Sequence, residues 1–284
     1  MRDPIYFKPM AYLQPLSHSL SLLLLFFSSL FDSDASANPT LFSDDFEKAD
    51  DSVIYRYLKG HGHDAVVVPS KGVNGSKGLE VTYVSIYKGS GRVKGFFPLS
   101  KKTNEASLSY DVKFSEDFQF VLGGKMHGLG PDEVVTGDWK VRPDGWSSRI
   151  MWRQEGKIET VLCLQDQRDK WGEYKSNEHF RFKREKYYAV TLYTRLNTAY
   201  DKKDGEVKVY VDGQLLIKYD NAYFWKDPVK DARISQFLFS TFHGGGDAKW
   251  APKDKNGNFI NVHATFDNFI VHEGLRIREK PGQQ

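Results

Sequence analysis

The chain has 284 residues with 40 basic and 37 acidic side chains, a formal charge of +3, and 40% hydrophobic and 14% aromatic residues. That length suits a single β-sandwich or barrel behind a short leader. The positive balance is weak and comes without a long Lys/Arg run, so it is no nucleic-acid footprint. Cys163 is the only cysteine, which excludes an intramolecular disulfide.

In chain order, residues 1–37 have the grammar of a secretory signal. Arg2 and Lys8 precede a mostly apolar run from Leu20 to Phe31, and Ala35-Ser36-Ala37 follows as a small-residue cleavage site. The run falls short of the roughly 20 apolar residues of a comfortable membrane span. Cleavage and retention as an N-terminal anchor both stay open, and Met10 is an alternative start. Residues 38–284 are expected to form one secreted domain. Leu79–Val84 and Ala106–Val112 alternate apolar and polar residues, as half-buried strands do. Gly205–Val211 and Gln214–Tyr219 flank Asp212-Gly213, a strong hairpin signal because both turn residues tolerate positive φ. Thr265–Val271 closes the pattern. Long amphipathic helices are missing, and turn-rich stretches such as Lys71–Gly78 separate the strands. The expected fold is all-β, a two-sheet antiparallel sandwich or jelly roll. The charge run Arg181–Lys186 reads as a solvated edge or a polyanion contact.

Three segments carry polar residues where an ordinary strand would show a core face: Val121–Gly128, Trp146–Arg153 and Gln236–Gly246. Strand parity puts Ser147, Arg149, Met151 and Arg153 on one face and Ser148, Ile150 and Trp152 on the other. Such a face is a plausible bed for a carboxylate polymer, since the arginine fork can hold a carboxylate with two parallel bonds; the plainer alternative is a solvated strand. Gly123 and Gly124 beside Lys125 either let a sugar ring approach the strand closely or mark a bulge. Gly244-Gly245-Gly246 lacks the sequence that would make it a phosphate cradle and reads as a loop.

Gly123-Gly124-Lys125-Met126-His127-Gly128, Ser147-x-Arg149-x-Met151-Trp152 and Phe239-Ser240-Thr241-Phe242-His243-Gly244-Gly245, in this order, resemble the polysaccharide lyase family 14 alginate and glucuronan lyases. The similarity extends from Asp44 to Phe269. The resemblance implies a jelly roll whose concave sheet holds a polyuronate against a Lys, a Ser-x-Arg pair and two tyrosines. Lys125, Ser147 and Arg149 match those positions. The tyrosines, in a Tyr-x-Tyr pattern on the next strand, are replaced by Val161 and Cys163, and His127 stands where a proline is usual.

A lyase that works by β-elimination neutralises the uronate carboxylate, removes the C5 proton and protonates O4. Arg149, with Ser147 or Gln165, is the expected partner of the carboxylate, and Arg153 and His243 are expected to line the substrate path. Lys125 is the expected proton-transfer group, provided that burial or nearby cations lower its pKa. His127, two residues on, would share the face of Lys125 in a regular strand and could stand in for a tyrosine. Tyr174 and Tyr193 are the other candidates. No cofactor or metal is required; His61-x-His63 is the only close histidine pair, and structural calcium is left open. The expected partner is an anionic polysaccharide, with no nucleic acid and no membrane after cleavage, and the chain is expected to be a monomer. The rival reading is a non-catalytic glycan-binding jelly roll that has lost the tyrosine pair.

Overall fold

The computed structural model describes residues 38–137 and 141–283, so the signal assigned to residues 1–37 lies outside the described residues. The strands, in order, are β1 Thr40–Asp44, β2 Ala65–Val68, β3 Gly78–Tyr83, β4 Ser85–Ile86, β5 Gly89–Ser90, β6 Val93–Thr103, β7 Glu105–Phe114, β8 Gly123–Gly130 and β9 Ser147–Arg153. They continue with β10 Lys157–Cys163, β11 Glu173–Arg181, β12 Tyr187–Arg195, β13 Gly205–Val211, β14 Gln214–Ala222, β15 Ile234–His243 and β16 Val262–Glu273. One helix, α1 (Val53–Gly60), was not expected from the sequence; Ser52 caps it by accepting a hydrogen bond from the Tyr55 amide at 3.0 Å.

Period-two patterning is resolved into two antiparallel sheets packed face to face in a jelly roll. The larger runs β14-β13-β12-β7-β16-β3-β2, with β1 also on β16; the smaller runs β11-β10-β9-β8-β15-β6. Between them lies one core that joins Tyr110, Phe266 and Phe269 of the larger sheet to Ile150, Phe237 and Phe239 of the smaller. The Asp212-Gly213 hairpin forms as expected, with positive φ at both residues.

β7 is buried on both faces rather than half-buried. The reason is the C-terminal tail, which lies over its outer side. The amides of Arg276, Arg278 and Gly282 donate to Ser107 Oγ (3.0 Å), Thr191 Oγ1 (3.1 Å) and Asp111 Oδ2 (3.0 Å).

β8 departs from regular pairing at the point that matters most for the site. Lys125 lies opposite Met151 and Gly128 opposite Arg149, so β8 carries one residue more than β9 between these pairs. This is a β-bulge, in which two residues face one across the ladder. Met126 and His127 consequently both belong to the interior, while Lys125 and Gly128 face outward.

Among the described residues no helix is long and apolar enough to cross a membrane.

Candidate active site on the six-stranded sheet

The outer face of the smaller sheet carries two adjacent cross-strand rows. One runs Phe96, Leu238, Gly128, Arg149, Val161, Tyr174 from β6 to β11. The other runs Phe242, Lys125, Met151, Glu159, Ser176 from β15 to β11. Ser147, Arg149, Met151 and Arg153 share this face, as alternation along β9 predicts, while Ile150 and Trp152 enter the core. Gly128 is what lets Arg149 lie flat, because a Cβ there would sit 2.3 Å from Arg149 Cγ and 2.2 Å from the Ser148 carbonyl oxygen.

Arg149 is only 5% exposed, and its Nε is buried with no hydrogen-bond partner among the described residues. Burial lowers its pKa; the Cys163 thiol beside it acts in the opposite sense, as does Tyr174 more weakly. A buried donor without an acceptor is costly unless something arrives to fill it. Lys125 Nζ lies 3.1 Å from Met151 Sδ. Burial, then the charges of Arg149 and Arg153, hold its pKa well below the usual ammonium range. Tyr174, on the strand beyond Val161, is raised above the usual phenol range by burial, with the Arg153 charge opposing. Arg153 stacks over the Tyr174 ring at 5.3 Å. It is also committed to Glu159, with Nε donating to Oε1 at 2.5 Å, while Ser176 Oγ donates to Glu159 Oε2 at 2.5 Å. Arg153 is therefore a neutralised wall of the site rather than a free cation.

Several expectations are corrected. His127 is fully buried on the opposite face from Lys125, ringed by Tyr110, Phe239, Phe266 and Phe269, with Nδ1 accepting from the Ser240 amide at 3.1 Å. The bulge reverses the parity that a regular strand would have given it, and burial holds its pKa well below the usual histidine range. His243 is also in the core, stacked on Phe118, with Nε2 2.7 Å from the Gln119 carbonyl oxygen; burial lowers its pKa to about 4. Ser147 faces outward but is fully buried, donating to the Val135 carbonyl at 2.6 Å and so pinning the loop that covers that end of the sheet. Gln165 Nε2 donates to the carbonyls of Arg142 (2.7 Å), Gly145 (3.0 Å) and Phe224 (3.0 Å) and acts as a loop clamp. Gly124 makes room for Trp152 in the core, not for a sugar, since its Cβ would sit 2.1 Å from the Trp152 ring. Tyr193 belongs to the larger sheet, where its hydroxyl donates to Glu105.

Lys125, Arg149 and Tyr174 thus remain together. Tyr174 was visible in the sequence only as one of two stray tyrosines, because its placement depends on the β10–β11 register, which pairs it with Val161. Concavities of about 520 and 740 Å³ lie elsewhere, the first over Asp44 and Arg278 and the second over Lys71 and His263, and gather none of these groups. Among the described residues no group of three or more His, Cys, Asp or Glu side chains is arranged to hold a metal ion.

A jelly roll that sets a buried arginine with an unsatisfied Nε beside a lysine of lowered pKa on one sheet has the architecture of a polysaccharide lyase. The profile of the family described as polysaccharide lyase 14 matches residues 81–268, and the chain belongs to that family. An alginate lyase solved as a lysine-and-tyrosine double alanine mutant with an alginate tetrasaccharide is 19% identical, with a TM-score of 0.66 over 85% of this chain and 100% of that one. The alginate lyase of Aplysia kurodai is 20% identical (TM-score 0.62; 83% and 99% covered). The endo-β-1,4-glucuronan lyase of the fungus Trichoderma reesei is 13% identical (TM-score 0.57; 87% and 100% covered). No curated protein matches the chain in sequence.

Proposed function

We propose that the chain cleaves a uronate polymer, alginate or glucuronan, by β-elimination, with Arg149, Lys125 and Tyr174 as the working groups. The observation that carries this reading is the buried, unpartnered Nε of Arg149 within the electrostatic reach of a lysine whose pKa is depressed. Arg149 takes the uronate carboxylate and stabilises the charge that spreads onto it as C5 loses its proton. Lys125, poised to be neutral, accepts that proton through Nζ. The C5 electron pair forms the C4=C5 double bond as the C4–O4 bond breaks, and the Tyr174 hydroxyl gives its proton to O4. The raised pKa of Tyr174 keeps it protonated for that role. Exchange with solvent then returns the lysine and tyrosine to their starting states, and no metal takes part. The solved relatives lend support: among alginate lyase variants carrying bound oligosaccharide, the replaced residues are a lysine with a tyrosine, or a lysine with a methionine. Here Lys125, Met151 and Tyr174 share one face.

Incubation with a panel of polyuronates, following the ultraviolet absorbance of unsaturated ends, tests the reading. A rise on alginate or glucuronan that survives a chelator is expected. Binding without any rise would select a glycan-binding module, a reading favoured by the apolar Val161 and Cys163 beside Arg149. We further propose that residues 1–37 direct secretion, which N-terminal sequencing of protein from the medium would test; a start at residue 38 is expected.

A further inference from the structure

We propose that Arg92, seated on the ring of Phe242, is a second carboxylate-binding site on the same face, taking a uronate ring beyond the one held at Arg149. This rests on the uronate reading above and extends it to the length of chain recognised.

Phe242 projects outward directly opposite Lys125, and the Arg92 guanidinium lies over its ring at 4.6 Å. Arg92 leads into β6 from the β4–β5 hairpin and is fixed by backbone carbonyls alone. Nη1 donates to Ser90 (2.9 Å), His243 (3.0 Å) and Lys88 (3.2 Å), and Nη2 to Gly245 (3.3 Å). The turn that supplies two of these carbonyls is itself packed. Gly245, at φ 96°, leaves the space that the Trp250 ring occupies, where a Cβ would come within 1.9 Å of that ring.

No carboxylate among the described residues pairs with Arg92, and burial alone lowers its pKa. Among the described residues Nε–H takes no partner, and Nη2 donates only to Gly245. Nε and Nη2 share the edge of the planar guanidinium that can grip a carboxylate with two parallel bonds. The cation is therefore half-buried, immobilised on an aromatic face, and left with the Nε–H prong of that edge unused. Neutral acceptors have filled the rest of the group without cancelling its charge.

Position supplies the ligand class. β9 and β15 flank β8, and Phe242 lies two strands across and one row along from Arg149; at about 4.8 Å per strand and about 3.4 Å per residue their backbones are separated by roughly 12 Å. That exceeds one pyranose ring. A polymer with a carboxylate on every ring can satisfy Arg149 and Arg92 together, with Lys125 between them. A neutral glycan or a single uronate cannot.

The test measures cleavage and binding on oligouronates of increasing length. Binding is measured calorimetrically on Lys125→Ala, so that it is read without turnover. Affinity in that background is expected to step up once the oligomer spans both arginines. Arg92→Gln is expected to remove the step and lower kcat/KM on long oligomers by about 10- to 100-fold, the usual worth of a charge-assisted contact, with a much smaller loss on the shortest cleaved oligomer. Because Arg92 also ties the hairpin down, Arg92→Lys and Phe242→Leu are measured beside it, with melting curves for each. Partial loss of the step in both is expected. A loss equal at every length, or an Arg92→Lys variant indistinguishable from wild type, would overturn the second site. A length-dependent step without any unsaturated product would uphold the site while removing the lyase reading.

Discussion

At the residue scale the proposed elimination turns on protonation states that burial sets. Lys125 must be neutral to accept a proton, and its pKa lies below that of an ordinary lysine. Activity should therefore rise with pH through that lowered value and fall again at high pH as Tyr174, raised above the usual phenol range, ionises. In Tyr174→Phe the alkaline limb should disappear along with most of the turnover, a loss of about 10²–10⁴-fold; an unaltered kcat would remove Tyr174 from the mechanism. Arg149→Ala should weaken both binding and turnover, and Arg149→Lys should restore only part, since a point charge cannot reproduce the fork. His127→Ala is expected to behave differently. It empties a core site and strands the Ser240 amide, so it should cost roughly 3 kcal/mol of stability, while kcat measured well below the melting temperature stays within a few-fold of wild type.

At the scale of elements, one glycine and one extra residue organise the site. Gly128→Ala would drive a methyl group into the Ser148 carbonyl and the Arg149 side chain. About 1–3 kcal/mol of destabilisation is expected from such overpacking, and Arg149 should be displaced, which kcat/KM and a thermal melt would report separately. The succession of strands along the chain and the two faces of β9 were legible because Ile150 and Trp152 alternate with Arg149 and Arg153, although the arginine face alone did not distinguish a substrate bed from a solvated strand. The face of His127 was not legible. Histidine fits either environment, and a bulge leaves no signature in Gly-Gly-Lys-Met-His-Gly beyond glycines that also have other uses. Arg92 escaped, and Tyr174 could be named but not placed, for a related reason: each reaches the site through a register or a hairpin fold-back, which periodicity does not encode. Ser147 was placed on the correct face, yet the loop that consumes its hydroxyl is remote enough in sequence that no local pattern announces it.

At the scale of the molecule, stability and binding should each respond to solution conditions. His243 has a folded pKa of about 4 against an ordinary 6.5, so the unfolded chain binds the extra proton in that interval and stability falls as pH drops from 6.5 through 4. Asp267 works in the other direction: its pKa is raised to about 6 by burial, so its contribution is lost as pH rises. His243→Phe should therefore flatten the acid side of the melting-temperature profile, by an amount on the order of 3 kcal/mol if the whole shift is expressed; an unchanged slope would refute it. On the outer face of the six-stranded sheet, cations that no carboxylate pairs among the described residues should make KM for a polyuronate rise with ionic strength, because the Debye length shortens to about 8 Å at physiological salt. The tail that covers β7 lies on the face remote from those cations. Because that tail lies on the opposite face, a chain tethered to a bead or a fibre through a C-terminal tag would hold the sheet proposed to bind the polymer outward, and an immobilised reactor could be built without reorienting the protein.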